Sequence, residues 1–352
     1  MRLEEAEIEA ALAAVSSGWL TMGPRIQALE AAAAERLGVR HALAVSSGTA
    51  ALHLACVAAG LGEGSIAVVS SLAGPEAAFA PRSSGAEAVA ADLEAVLEPV
   101  ADLLGAVTPA TRVVIVSHPT GVAADAAGLR RACDTQGIVL IEDATDALGA
   151  TLPDGRAAGS AGHLGCFSLA DGRLGGVGEG GIVVTGDDAL AARVKSLRSH
   201  AMTSVTWDRH RGHADSYDIV DIGFNFRMDE PRAALAMARL ERVGALVEAR
   251  RAAAQTIRAA APADVTPAWP DALPAGAAPQ AVALVAPDEA RRDALARALT
   301  ACGVAARSWP RMLHGSTPVA AEARARTVLV DLGAIEAAGL DARTVAHALR
   351  AA

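Results

Sequence analysis

Two short segments follow apolar, β-rich runs and carry residue types that can bind charged groups. The run HALAVSS leads into Gly48, Thr49 and Ala50 at the start of a helical stretch, where free N–H groups attract an anion. The run GIVLIED ends with Asp143, and a carboxylate at that edge of a parallel sheet can hold a protonated ring nitrogen. The alternatives are ordinary helix capping by Ser47 or Thr49 and a capping role for Asp143.

A third segment, FSLADGRLGGVGEGG, is rich in glycine and contains Ser168 and Arg173. Dinucleotide-binding and P-loop motifs need a strand before the glycines and a helix after them. Here the glycines lead into IVVT, which is typical of a strand, and no lysine precedes a serine or threonine as a Walker motif requires. The loop therefore does not favour nucleotide binding, and taken alone it would be a flexible hairpin.

The elements that must position these segments alternate along the chain. The strand-like runs HALAVSS, SIAVVSS, RVVIVSH and GIVLIED alternate with helical stretches, which predicts βαβ units around a mostly parallel sheet. LGCFSLAD and GGIVVTGDD read as two further strands beside the glycine-rich loop. A long helix with Pro231 near its start follows. We predict a large domain over residues 1–244 and a small α+β C-terminal domain over residues 245–352.

The composition excludes several classes of protein. A net charge of −9 over 352 residues argues against a nucleic-acid-binding surface. The four cysteines have no CxxC spacing, which predicts reduced thiols and no metal site. An acidic amphipathic start and the absence of a long uncharged apolar run predict a cytoplasmic protein that does not enter a membrane. Because alanine is abundant and aromatic residues make up only 3%, we expect a subunit interface to supplement the core.

In combination, the segments SSGTAALHLA, IEDA, GCFS, GEGGIVVT and GFNFRMDE resemble the DegT/DnrJ/EryC1/StrS family of sugar aminotransferases. The resemblance runs over roughly residues 18–240, and the shortened C-terminal part matches poorly. It implies pyridoxal-phosphate fold type I: a large domain with a seven-stranded type of mostly parallel sheet flanked by helices, and a small α+β domain. It also implies a dimer whose active sites lie between the subunits.

Carried over by motif, this resemblance assigns cofactor-binding residues. Gly48, Thr49 and Ala50 would meet the cofactor phosphate at the helix start, and Ser168 would add its hydroxyl. Asn225 would reach the phosphate bound by the partner subunit. Asp143 would pair with the pyridine nitrogen and keep the ring an electron sink.

Three positions depart from the family pattern. The position of the family's lysine holds Arg173, and a guanidinium neither forms a Schiff base nor serves readily as a general base. Asp146 stands where the family has a glutamine beside the cofactor's phenolic oxygen. The aromatic residue that stacks on the cofactor ring aligns with Gly74 or Pro75. Ordinary transamination should therefore fail, although the cofactor can still bind without a covalent bond.

Another group must then move protons. The candidates are Asp146, His118 after the VVIVS run, and a histidine cluster consisting of His200, His210 and His213. The only lysine in the chain, Lys195, lies on a helix downstream and is expected to have a surface role.

Three functions stay open at this point. The first is a biosynthetic enzyme for a nucleotide sugar or a specialised metabolite, with pyridoxal or pyridoxamine phosphate bound non-covalently. The second is a cofactor-independent enzyme that uses the pocket and Arg173 for an anionic substrate. The third is a non-catalytic subunit that forms a heterodimer with a lysine-bearing homologue. The first function, by contrast, implies a homodimer.

Overall fold

The computed structural model describes residues 3–96, 101–203, 218–309 and 317–352. The strands of its larger sheet are β1 (His41–Val45), β2 (Ile66–Ser70), β3 (Glu87–Ala91), β4 (Thr111–Ser117), β5 (Val139–Asp143), β6 (Leu164–Ser168) and β7 (Gly181–Thr185). They lie in the order β1-β7-β6-β5-β4-β2-β3. Strand β7 is antiparallel to β1 and β6, and the other four pairings are parallel. The predicted seven-stranded, mainly parallel sheet is thus confirmed.

Helices cover this sheet and continue to the C-terminus. In chain order they are α1 (Glu5–Ser16), α2 (Pro24–Leu37), α3 (Gly48–Ala58), α4 (Pro75–Ser83), α5 (Ala126–Gln136), α6 (Asp188–Leu197), α7 (Glu230–Arg258), α8 (Glu289–Ala301), α9 (Pro318–Arg326), α10 (Leu332–Ala337) and α11 (Ala342–Ala351). Helix α3 packs against β6 and β7, and its residues Ala51, Leu52 and Ala55 are fully buried. Small alanine side chains let this helix approach the sheet closely, so the alanine-rich sequence builds a dense core from little side-chain volume.

A second, smaller sheet follows α7. Its strands are β8 (Thr266–Pro267), β9 (Ala281–Val285), β10 (Ala306–Arg307) and β11 (Thr327–Asp331). They pair antiparallel in the order β10-β11-β9-β8. This sheet and the helices around it form a separate cluster of buried apolar side chains that includes Leu284, Val330 and Leu299.

Helix α7 connects the two cores. Val243 and Val247 pack in the core beside the large sheet, whereas Ala254 and Ile257 pack beside the small one. The helix is continuous across residues 244 and 245, where we predicted a domain boundary. The boundary stays a prediction. The first part of α7 packs in the core of the large sheet, and its last part packs in the core of the small sheet.

Two further predictions concern the thiols and the membrane. Cys56, Cys133 and Cys166 are buried free thiols, and Cys302 is a half-buried one. Burial raises the pKa of Cys133 to about 11, so this thiol stays protonated at neutral pH. Among the residues that the structure describes, none of the helices is long and apolar enough to cross a lipid bilayer.

Candidate active site

The first turn of α3 lies against the end of β6. A Cβ atom on Gly48 would lie 2.8 Å from Ser168 Cβ, so glycine is required for this close approach. Thr49 is exposed, whereas Ser168 is buried. We call Gly48, Thr49 and Ser168 the anion cup, because a helix start and two hydroxyls can receive an anion there. Ala50 N–H donates to Ser47 Oγ at 3.0 Å, so the predicted contact of this N–H with an anion stays a prediction.

Asp143, at the end of β5, is 3% exposed and has hydrogen bonds to both carboxylate oxygens. Ser117 Oγ donates to Oδ2 at 2.9 Å. Thr145 donates to Oδ1 from its hydroxyl at 2.6 Å and from its backbone N–H at 3.2 Å. These donors match a carboxylate, which only accepts, and they fix its orientation at the edge of the sheet. Asp143 is therefore placed to hold a protonated ring nitrogen.

His118 belongs to a buried network behind Asp143. Ala124 N–H donates to His118 Nδ1 at 3.1 Å, so the ring proton is on Nε2, which donates to Glu142 Oε2 at 2.9 Å. Glu142 also accepts from the backbone N–H groups of Gly159 and Gly162 at 2.8 Å and 2.5 Å. Burial alone would raise the pKa of Glu142, but the hydrogen bonds outweigh it and the pKa is lowered. With both ring nitrogens engaged, the geometry favours a structural role for His118, and its role as a proton carrier stays a prediction.

Arg173 and Asp146, both predicted as catalytic, form an ion pair through Arg173 Nη1 and Asp146 Oδ1. Arg173 lies in the glycine-rich loop between β6 and β7, which is held by main-chain bonds such as Asp171 N–H to the carbonyl oxygen of Gly178 at 2.9 Å. Burial lowers the pKa of the Arg173 guanidinium, while nearby Glu76 acts in the opposite direction. Its ordinary pKa is so high that the group stays charged at neutral pH.

Glu76, in the first turn of α4, is a site residue that the sequence reasoning missed. Its carboxyl group turns back over Gly74, where a Cβ atom would lie 2.8 Å from the carboxyl carbon. Glu76 Oε1 is 3.4 Å from Thr145 Oγ1. Burial and the charge of Asp143 raise the pKa of Glu76, against smaller opposing effects of Arg173 and Thr145. The only signal in the sequence was an acidic residue shortly after Gly74 and Pro75, the two positions that align with the family's aromatic residue.

A cavity of about 220 Å³ lies over these residues, between the two sheets. Its lining includes side chains from both sides: Glu76, Asp143, Asp146, Arg173, Gln280, Arg307 and Trp309. Arg307 Nη2 is 3.4 Å from Asp331 Oδ2. The small sheet therefore supplies one wall of the cavity and a second guanidinium.

Several candidates lie elsewhere. Asn225 and Lys195 are exposed and His200 is half-buried, and these three do not line the cavity. His210 and His213 lie outside the described residues. Within the four described ranges, no group of three or more His, Cys, Asp or Glu side chains could hold a metal ion.

A mainly parallel seven-stranded sheet with a polar cavity beyond its strand ends, closed by a smaller antiparallel sheet, is an α/β fold of the fold type I aminotransferase kind. The chain belongs to the DegT/DnrJ/EryC1/StrS aminotransferase family, whose model matches residues 1–329. The similarity therefore extends beyond residues 18–240, which carry the recognisable motifs.

Solved structures of similar proteins agree over nearly the whole chain. The aminotransferase TlmJ from Streptoalloteichus hindustanus is 28% identical, with a TM-score of 0.89 over 99% of this chain and 96% of that one. DesV from S. venezuelae is also 28% identical, with a TM-score of 0.84 over 98% and 93%. A family aminotransferase from Brucella abortus is 25% identical, with a TM-score of 0.85 over 98% and 95%.

The family depends on pyridoxal phosphate, and the residues present fit two ends of that cofactor. The anion cup does not line the cavity, but its helix start and two hydroxyls can donate hydrogen bonds to a phosphate. Asp143, an oriented carboxylate on the cavity wall, fits a protonated pyridine nitrogen. Another part of the cavity lining carries the ion pair between Arg173 and Asp146.

Proposed function

We propose that this chain is a biosynthetic enzyme that binds pyridoxal or pyridoxamine phosphate without a covalent bond and does not carry out ordinary lysine-dependent transamination. One observation carries the proposal: the Arg173–Asp146 ion pair and the oriented carboxylate of Asp143 line the same cavity. A guanidinium cannot take the place of the reactive amine. The nucleotide-sugar or specialised-metabolite substrate class follows from the family and stays part of the proposal.

The aminated cofactor should bind better than the aldehyde. The carboxyl groups of Glu76, Asp143 and Asp146 line the cavity together with Arg173 and Arg307. An amino group can donate hydrogen bonds to these carboxyl oxygens, whereas an aldehyde has no hydrogen to donate to them. We therefore expect pyridoxamine phosphate to bind at least about tenfold more tightly than pyridoxal phosphate.

Each site residue then has a definite task. The bound cofactor supplies an electron sink and an amino group. Ser168 and Thr49 donate hydroxyl hydrogen bonds to the phosphate, and Asp143 holds the proton on the pyridine nitrogen. Arg173 holds Asp146 in place through the ion pair, and it offers its remaining N–H donors to an anionic group of the substrate.

An absorbance titration with each cofactor form tests the proposal. We expect saturable binding of pyridoxamine phosphate, weaker binding of pyridoxal phosphate, and no cofactor attached to the protein after borohydride reduction. Lys195→Arg is the matched control, because it removes the only lysine while keeping its charge. If borohydride attaches the cofactor to the protein and Lys195→Arg abolishes this attachment, Lys195 forms a Schiff base and the proposal is wrong. The proposal is also wrong if neither cofactor form binds.

A second candidate is the cofactor-independent enzyme, which uses the cavity for an anionic substrate. The position of Glu76 favours it, because this carboxylate turns back over Gly74, and the family's ring-stacking aromatic residue aligns with Gly74 or Pro75. Absence of binding of either cofactor form, with stabilisation by a phosphate or carboxylate compound that Arg173→Gln abolishes, would select this candidate.

Assembly is a separate part of the proposal. Asn225 is exposed, as a residue that completes a partner subunit's phosphate site must be. We propose a homodimer, and the alternative is a heterodimer with a lysine-bearing homologue in which this chain is the non-catalytic subunit. Sedimentation of the purified chain distinguishes them, because a chain that dimerises only with a homologue stays monomeric when alone.

A further inference from the structure

The position of Glu76 depends on two neighbours in sequence. Pro75 starts α4 and fixes its first turn, and Gly74 has no side chain to block the carboxyl group that turns back over it. The three carboxyl atoms of Glu76 would each lie 2.8 Å from a Cβ atom at position 74. The absence of a side chain at position 74 thus makes room for the carboxyl group of Glu76.

The hydrogen-bond geometry leaves a place for one additional proton. Thr145 Oγ1 has a single hydrogen, and its distance of 2.6 Å from Asp143 Oδ1 shows where that hydrogen goes. Glu76 Oε1 lies 3.4 Å from the same hydroxyl oxygen. With that hydrogen engaged, a bond between Glu76 and Thr145 needs a proton on Glu76. A proton on Glu76 would complete a chain in which Glu76 donates to Thr145 and Thr145 donates to Asp143.

Charged groups from three other parts of the fold surround Glu76. Asp143 and Asp146 come from β5 and the turn after it, and Arg173 comes from the glycine-rich loop. Arg307 lines the cavity from the small sheet, with Asp331 at 3.4 Å. Acidic neighbours and partial burial disfavour a charge on Glu76, and Arg173 stabilises the carboxylate once the proton has left. Both protonation states are therefore supported, as proton transfer requires.

We propose that Glu76 is the catalytic residue that transfers protons in the cavity, in place of a lysine amine. Thr145 is its positioning residue. The catalytic role of Glu76 rests on the proposed function. The protonation of Glu76 is independent of it, because it concerns the protein without ligand. In one direction the Glu76 O–H bond breaks and a C–H or N–H bond forms on the substrate. In the other direction that bond breaks and the Glu76 O–H bond forms again. No electrons are gained or lost in either step.

The proton is tested first on the protein without any ligand. Infrared spectra recorded across a pH series show the carbonyl stretch of a protonated carboxylic acid apart from the carboxylate bands. We expect such a band that disappears above the pH at which an exposed glutamate ionises, is lost in Glu76→Gln, and is kept in the exposed control Glu87→Gln. A band unchanged in Glu76→Gln, or the absence of a band in the wild type, overturns the assignment.

The catalytic role is tested with pyridoxamine phosphate in deuterated water, by proton NMR of exchange at its aminomethyl carbon. We expect Glu76→Gln to slow exchange about 100-fold with little change in cofactor affinity, in the range of general acid–base catalysis. Thr145→Val should slow it as well, and Thr145→Ser should restore it because the hydroxyl returns. Unchanged exchange in Glu76→Gln overturns the catalytic role. If the wild type does not bind the cofactor but the infrared band is present, the proposed function fails and the proton site stands.

Discussion

Arg250 ties the glycine-rich loop to the small sheet, and its removal should cost about 3 kcal/mol of folding free energy. Its side chain is 1% exposed and makes two bonds of 2.8 Å to Glu336 on α10. It also donates to Gln280 Oε1 and, at 2.9 Å, to the carbonyl oxygen of Gly172, the neighbour of Arg173. Four elements that shape the cavity therefore meet at one guanidinium.

Arg250→Met keeps the apolar stem and removes every donor. Breaking a buried ion pair by deleting one partner typically costs about 3–5 kcal/mol. The side chain of Glu336 is 32% exposed and can regain water, which places our expectation at the lower end of that range. Since Gly172 loses its bond as well, the neighbouring Arg173 should be held less firmly, and pyridoxamine phosphate should bind more weakly.

Urea unfolding followed by circular dichroism measures the loss, and a cofactor titration on the same variant measures the effect on the site. The control is Arg343→Met on the exposed surface of α11, which should change stability by less than about 0.5 kcal/mol. Combining Arg250→Met with Glu336→Met should cost less than the sum of the two single changes, because the pair is lost only once. An Arg250→Met protein as stable as the control would refute the argument.

Three further outcomes are expected. Gly48→Ala should abolish cofactor binding in a titration, because the new Cβ would lie 2.8 Å from Ser168 Cβ. The control is Gly60→Ala, where no atom lies within 4 Å of the new Cβ but φ is +80°. This control should lower stability and leave cofactor binding intact. Glu142→Gln should cost about 3 kcal/mol or more at neutral pH in urea unfolding, since one amide cannot accept all the bonds that the carboxylate accepts. The pKa of Glu142 is lowered on folding, so its contribution is present above the unfolded pKa and is lost as pH falls; Glu142→Gln should therefore flatten the acid limb of the stability profile. Glu76 has the opposite sign: its raised pKa means that stability falls as pH rises through the folded value, and Glu76→Gln should remove that fall in thermal unfolding across a pH series.

The sequence predicted well whatever depends on strand ends. Apolar runs predicted β5 and β6, and because these strands are parallel, Asp143 and Ser168 at their ends lie at the same edge of the sheet. The pair formed by Arg173 and Asp146 was visible only as two separate departures from the family pattern. That they touch depends on the path of the glycine-rich loop, which no periodicity encodes.

Two other features could not be predicted for stated physical reasons. Whether His118 is free or engaged depends on the register of β4 against β5, which pairs Val116 with Glu142. A shift of one residue would point Glu142 away from the histidine. Glu76 was missed because nothing in an apolar, alanine-rich stretch shows that a side chain turns back over a glycine.

The departures at the cavity are best understood as one interdependent set. A half-buried guanidinium at position 173 needs an anion, and Asp146 supplies it where a neutral amide would leave the charge unpaired. Burial and the charge of Asp143 favour a proton on Glu76. Glu76 has room only because position 74 is glycine. Decay after loss of function would leave unpaired charges, whereas here Asp146 pairs with Arg173 and Gly74 leaves room for the carboxyl group of Glu76. This compensation supports the ligand-binding cavity that we propose.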